Sequence, residues 1–255
     1  MKYKKISIMI AFALMIVSLV GCSSSKEGTS DNDKDEIVVG MELAYPPFET
    51  TDANGDPTGI SVDLAKALGE YLDRPVKIEN MSYTGLIPAL TTNKIDMVLS
   101  SMTITEERGK VVNFSDPYAK SYLSLLINKD SSVKSADDLN DSNITIAVKK
   151  GTTGHVYASE HFKNAKINVY DSVSACVLDV SQGKADVFIY DQLTVYENWQ
   201  KYIETTRVNL EPFQDDFEYW GIAMRKEDED LQKNVNEFLK QYKENGEFDD
   251  LANSI

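Results

Sequence analysis

The chain has 255 residues, 42% of them hydrophobic, and its 41 acidic side chains outweigh 26 basic ones to leave a net charge of −15. An acidic surface of that size repels nucleic acid and anionic lipid head groups, so a nucleic-acid partner is excluded. Two cysteines and two histidines are too few for a disulfide scaffold or a zinc cluster, and neither a metal nor a cofactor is expected.

The N-terminus declares a location. Lys2, Lys4 and Lys5 precede an apolar run from Ile6 to Val20, which ends in the small-residue sequence Leu19, Val20, Gly21, Cys22. The run falls short of the roughly 20 residues that span a bilayer. This segment, 1–21, resembles a bacterial lipoprotein signal peptide; the resemblance implies that Cys22 becomes the first mature residue and carries the lipid. Residues 22–35 are small, polar and charged and read as a flexible tether. The expected location is the extracytoplasmic face of the cell membrane, with acyl chains as the anchor.

From Glu36 onward about 220 residues remain, enough for lobes with real cores. Ile37, Val38 and Val39 predict a strand, and Asn54 with Gly55 a hairpin turn. Ser61 is expected to cap a helix carrying Val62, Leu64, Ala65, Leu68 and Leu72. A strand at Val76 to Ile78, a short helix around Leu86 to Leu90 and a strand at Ile95 to Leu99 follow. Strand and helix in alternation imply a parallel sheet, whose ligands bind beyond the carboxyl ends of the strands. After Tyr118 the pattern restarts: strands at Leu123 to Ile127, Ile144 to Val148, Ile167 to Tyr170 and Val187 to Tyr190 enclose helices at Thr153 to Phe162 and around Cys176. Cys176 lies on a stripe with Val173, Val177 and Val180 and reads as core. A strand at Trp220 to Met224 and a helix striped by Leu231, Val235, Phe238, Leu239 and Tyr242 close the chain. The expected architecture is two α/β lobes, 36–125 with 218–255 and 126–217. The tail returns to the first lobe, so the chain crosses near Leu123 to Leu126 and again near Phe217 to Trp220 as a two-strand hinge.

The stretch SSMTITEERGKVVNFSDPY, Ser100 to Tyr118, organises the rest. An apolar strand stops at two serines, Thr103 or Thr105 can cap the next short helix, and Arg108 projects from its first turn. A planar guanidinium among uncommitted hydroxyls and amides fits a carboxylate. The alternative for Arg108 is a surface pair with Glu106 or another acid.

Together with GMELAYPPFETTDANGDPTGISVDLAKALGEYL from Gly40, LIPAL from Leu86 and GTTG from Gly151, this stretch resembles the extracellular solute-binding proteins of family 3, which serve ABC importers of polar amino acids. The resemblance spans 36–255. It implies a periplasmic-binding-protein-like fold of type II, a free amino acid as ligand, an ABC transporter permease as partner and a monomer. Residue by residue, it implies that Arg108 grips the ligand α-carboxylate beside Ser101 and Thr103, with Thr153 completing that site from the second lobe. Asp191 would hold the α-ammonium, helped by the Ser100 carbonyl, while Tyr45 and Tyr83 would wall the side chain. Gly154 stands where relatives often carry a polar residue, which would reduce that pocket wall to backbone. Glu42 stands where relatives that take basic amino acids often carry aspartate.

Tyr45 precedes Pro46 and Pro47 in a loop at a strand end, where aromatic side chains meet ligands. Two phenol faces with Glu42 nearby suit arginine, lysine or ornithine. The competing readings are a cyclohexadienyl-dehydratase-like enzyme on the same fold, with Glu42 as its acid, and an amino-acid sensor acting through a membrane partner.

Overall fold

The computed structural model describes residues 36–214 and 217–246. The signal segment, Cys22 and the tether lie outside the described residues. In chain order the elements are β1 (Ile37–Met41), β2 (Thr50–Thr51), β3 (Pro57–Thr58), α1 (Ile60–Tyr71), β4 (Val76–Asn80), α2 (Leu86–Thr91), β5 (Met97–Val98), α3 (Glu106–Gly109), β6 (Asn113–Phe114) and β7 (Ala119–Ser121). They continue as β8 (Leu123–Asn128), β9 (Thr145–Lys149), α4 (Thr153–His161), β10 (Lys166–Tyr170), α5 (Val173–Ser181), β11 (Val187–Asp191), α6 (Gln192–Lys201), β12 (Thr206–Asn209), β13 (Glu218–Trp220), β14 (Ala223–Met224) and α7 (Glu229–Glu244).

Two five-stranded sheets result, ordered β4-β1-β5-β14-β6 and β10-β9-β11-β8-β12. β1 runs parallel to β4 and β5, and β9 runs parallel to β10 and β11, as crossover helices require. The returning β14 enters the first sheet antiparallel to β5 and β6. α7 then packs beside α1, burying Val235, Phe238 and Leu239, each such side chain being worth about 1.5–3 kcal/mol.

Alternation along β1 sends Ile37, Val39 and Met41 into one core and Val38 toward Leu86, Leu90 and Val98 on the other face of the sheet. Leu123, Leu125 and Ile127 of β8 face a core with Ile146, Val148 and Ile189, whereas Leu126 faces the opposite side of that sheet. Both sheets are covered on both faces, which is why their strands read as unbroken apolar runs.

Four local expectations change. Ser61 does not cap α1: Gly59 does, and the buried Ser61 hydroxyl donates instead to Glu49 at 2.6 Å. The first crossing between lobes is β7, antiparallel to β13, while Leu123 to Leu126 already lies in the second sheet, paired with β11 and β12. The strand expected over Trp220 to Met224 breaks at Gly221, whose amide leaves the ladder to donate to the Met102 carbonyl at 3.1 Å. α6 escaped prediction because only Thr194 and Val195 of its ten residues are buried, too narrow a stripe to register as periodic.

Candidate functional site

The parallel strands of both sheets point their carboxyl ends at one cleft. β1 delivers Glu42, β5 delivers Ser100 and Ser101, β9 ends on Lys149 and β11 ends on Asp191. Between them lies a small cavity of about 40 Å³, bordered by eight of the nine residues expected to touch a ligand: Glu42, Tyr45, Tyr83, Ser100, Ser101, Thr103, Thr153 and Asp191. The ninth, Arg108, borders an adjoining chamber that shares Thr103, Thr153 and Glu218 with the first.

Arg108 is set by its short helix. Thr105 caps α3 by accepting from the Arg108 amide at 3.2 Å, and the guanidinium turns back to donate to the Thr103 carbonyl at 2.6 Å. Its other arm crosses the cleft to the Gly151 carbonyl at 3.0 Å. Gly151 sits at φ +79°, and a side chain there would strike Thr84 of the first lobe at 2.8 Å. The GTTG turn can therefore approach the opposite lobe only as glycine.

Thr152 caps α4, accepting from the His155 amide and donating to the Lys149 carbonyl, which aims Thr153 at the cavity. Gly154 does not form a pocket wall: it faces β11, where a Cβ would meet the Ile189 carbonyl at 2.7 Å. Its missing side chain serves close helix-to-sheet packing.

Asp191 caps α6, accepting from the Thr194 amide at 3.1 Å. Burial raises its carboxyl to about 6, and the charge of Glu218 adds to the rise. Burial, and then the neighbouring Asp191 charge, holds the Tyr45 hydroxyl well above its usual range, and the phenol in turn pulls the Asp191 carboxyl down. A buried acid beside a buried phenol in one cavity wall, with the acid's pKa raised, is the kind of polar pair that marks a functional site.

Glu42 is engaged. Lys149 reaches across from the second lobe to form a hydrogen-bonded ion pair with its Oε2, both side chains being largely buried. The same ammonium lies 5.3 Å from the centre of the Tyr83 ring, and the Arg108 guanidinium lies 5.6 Å from it. Tyr45 and Tyr83 do not stack on each other; Tyr45 packs against Phe48, Tyr190 and Trp220.

The sequence reading missed Glu49, Thr152, Tyr190, Glu218 and Trp220, all of which border the cavity. Glu49 is almost fully buried and accepts from Ser61, Ser100 and Ser101; burial drives its carboxyl up to about 8, against the pull of those three hydroxyls. Ser101 is held at φ +45°, a strained conformation for a residue with a Cβ, of the kind that surroundings enforce at ligand sites. Glu218 accepts from the Thr103 hydroxyl at 3.1 Å. An acid inside the aromatic run Phe217 to Trp220 was the available signal for it.

A family model for bacterial extracellular solute-binding proteins, family 3, matches residues 37–254. The chain belongs to that family. It is 29% identical over 247 residues to the L-cystine-binding protein TcyJ of Escherichia coli K12, covering 94% of this chain and 91% of the relative. It is 32% identical over 222 residues to ABC transporter arginine-binding protein 1 of the same organism, covering 86% and 89%. Among solved structures, an ancestral amino acid-binding protein described as a precursor of cyclohexadienyl dehydratase superposes with a TM-score of 0.78 at 38% identity, covering 86% of this chain and 94% of that one. The two-lobed α/β fold is that of the family's amino-acid-binding members. No helix among the described residues of this family member is long and apolar enough to cross a membrane.

Proposed function

We propose that this chain captures a free polar amino acid between its lobes and delivers it to the permease of an ABC importer, held at the membrane through lipid on Cys22. The observation that carries the reading is the pair Arg108 and Asp191, contributed by opposite lobes to adjoining parts of one cleft. A free amino acid presents a carboxylate and an ammonium on neighbouring atoms, and a site for it needs a planar cation and an acid converging from two sides. The ligand carboxylate would take the guanidinium arm now spent on the Gly151 carbonyl, with Ser101, Thr103 and Thr153 around it, and the ammonium would meet Asp191. Because the two charges sit on different lobes, a ligand that binds both favours the closed state over the open one, which moves a hinged protein without a covalent step.

A basic side chain is the favoured occupant of the remaining space. Glu42 and Tyr83 suit a cation, and one of the relatives is an arginine-binding protein. Such a ligand requires Lys149 to leave Glu42.

The reading is of a receptor and not an enzyme. In the dehydratase alternative Glu42 was the acid, but its bond to Lys149 suits a carboxylate and not a proton donor. Glu49 is the group that would carry a proton at neutral pH, and it is bonded by three serines.

Thermal melting of the purified protein against the common amino acids tests the proposal. A ligand that binds only the folded state at a hundredfold excess over its Kd adds about 2.7 kcal/mol of stability. A raised midpoint with an amino acid recovered unchanged supports the receptor; conversion of that ligand would transfer the site to the enzyme reading, and no shift with any amino acid would end the proposal.

A further inference from the structure

One carboxyl group gathers much of the cavity wall from behind. Glu49 is 1% exposed; its Oε2 accepts from the Ser61 hydroxyl at 2.6 Å and the Ser101 hydroxyl at 3.1 Å, and its Oε1 accepts from Ser100 at 3.3 Å. Ser61 stands in the first turn of α1, and Ser100 and Ser101 follow β5. Ser100 also accepts from the Glu42 amide at 2.9 Å, which draws in the residue after β1. The Glu49 backbone closes the loop that carries Tyr45, donating to its carbonyl at 2.9 Å and accepting from its amide at 2.7 Å. The Tyr118 phenol joins the cluster, raised by burial and then by the Glu49 charge, and pulled down by Ser101 and Ser61. All of these residues precede β8, and no part of the cluster comes from the second sheet.

Packing alone does not call for an acid at this point. An enclosed carboxyl costs stability that an apolar side chain of similar size would not, and here three hydroxyls are spent on satisfying it. What it holds accounts for the cost. Ser101 sits at φ +45°, which a residue with a Cβ keeps only when its surroundings enforce it, and its hydroxyl is tied to Glu49. Ser100 and Ser101 border the cavity, whereas the fully buried Ser61 is not part of its wall.

We infer that Glu49 is a positioning residue for amino-acid binding: it holds Ser101 in its strained backbone conformation and fixes Ser100 beside it, so that both meet the ligand without rearranging. This rests on the amino-acid-binding reading and deepens it. Preorganisation of this kind is felt as affinity. Ser100 and Ser101 are assigned to the head group that all amino acids share, so the contribution of Glu49 falls on every ligand alike.

The test is isothermal titration of arginine and glutamine into the wild type, Glu49→Ala, Glu49→Gln and Ser61→Ala, each well below its melting point. Glu49→Ala is expected to weaken both ligands about tenfold, the effect of leaving one strained residue unsupported. Glu49→Gln should recover most of that loss, because a glutamine can turn its oxygen to Ser61 and Ser101 and its amide to the Ser100 oxygen. Ser61→Ala, made away from the cavity wall, removes the shortest of the three bonds and should cost about threefold, with no further loss once Glu49 is alanine. Glycine takes a positive φ unaided, so the loss caused by Glu49→Ala should shrink in a Ser101→Gly background, a coupling that a glutamate serving stability alone would not show. If Glu49→Ala does not fold, Ser61→Ala with and without Ser101→Gly carries the same comparison. Wild-type affinity in the variant that carries the test, or a loss that Ser101→Gly leaves undiminished, overturns the inference while the receptor reading stands. A wild type that binds neither ligand, nor any other common amino acid, removes the underlying reading and the inference together.

Discussion

The two ends of the cleft are built from different materials. At the end with Arg108, Thr153 and Asp191, the charged groups are held by backbone: Thr105 and Asp191 each cap a helix, and Arg108 hangs between two carbonyls. At the end with Glu42, Lys149 and Tyr83, the groups hold each other, side chain to side chain across the lobes. Main-chain scaffolding fixes geometry whatever the neighbours are, whereas a side-chain pair can be repacked by a single substitution. The first arrangement suits the part of an amino acid that never varies, the second the part that does.

Breaking the fixed end has the largest expected effect. Arg108→Ala removes two charge-assisted hydrogen bonds of about 1.5–3 kcal/mol each, so titration calorimetry should detect a loss of affinity on the order of a hundredfold or more for every ligand alike. Asp191→Asn comes next, at about one such bond, and adds a pH test. The free carboxyl titrates at about 6 and must be ionised to hold an ammonium. Affinity should therefore fall as pH drops below 6, about tenfold per unit, while the asparagine variant should show a flat profile; a steep profile in that variant would place the titration elsewhere.

Glu42→Gln sharpens the contrast from the other side. It should change the ranking of ligands more than their overall affinity, costing arginine about tenfold relative to glutamine, an effect the size of one buried charge contact. Equal losses for both would mean that the side-chain end is as generic as the head-group end.

The smallest effect on binding and the clearest on stability is expected from Glu49→Gln. The Glu49 carboxyl is raised from 4.5 to about 8 in the folded protein, so the folded state holds a proton that the unfolded state releases. That contribution is complete below pH 4.5 and is lost as pH rises through 8. Denaturant melts should show the glutamine variant gaining on the wild type by a few kcal/mol between pH 5 and pH 8.5; parallel curves would mean that Glu49 keeps its charge.

The same division governs what could be read from sequence. Arg108 drew attention through local signs, an apolar strand that stops at two serines and a hydroxyl three residues before the arginine, whereas Asp191 and Thr153 came only with the family resemblance. The two-sheet fold was legible for a similar reason, through unbroken apolar strands alternating with striped helices. Lys149 stood in view at the end of β9, but nothing local tells a lysine at a strand end that it will cross to Glu42, 107 positions away. Glu49 was hidden likewise, since its partners Ser61, Ser100 and Ser101 converge only after β1, α1 and β5 have packed. Ser61 was misassigned because a serine before an apolar stripe has the sequence pattern of a cap even when its hydroxyl is spent elsewhere.

The crossing strands have one more consequence. Glu218 and Trp220 belong to β13, the strand that pairs with β7 between the lobes, and both form part of the cavity floor. Whatever occupies the cavity rests on the fulcrum. If the lobes close on a ligand as proposed, a bulkier guest would press on the very strands that join them, and the resting angle between the jaws should then vary with the shape of the cargo.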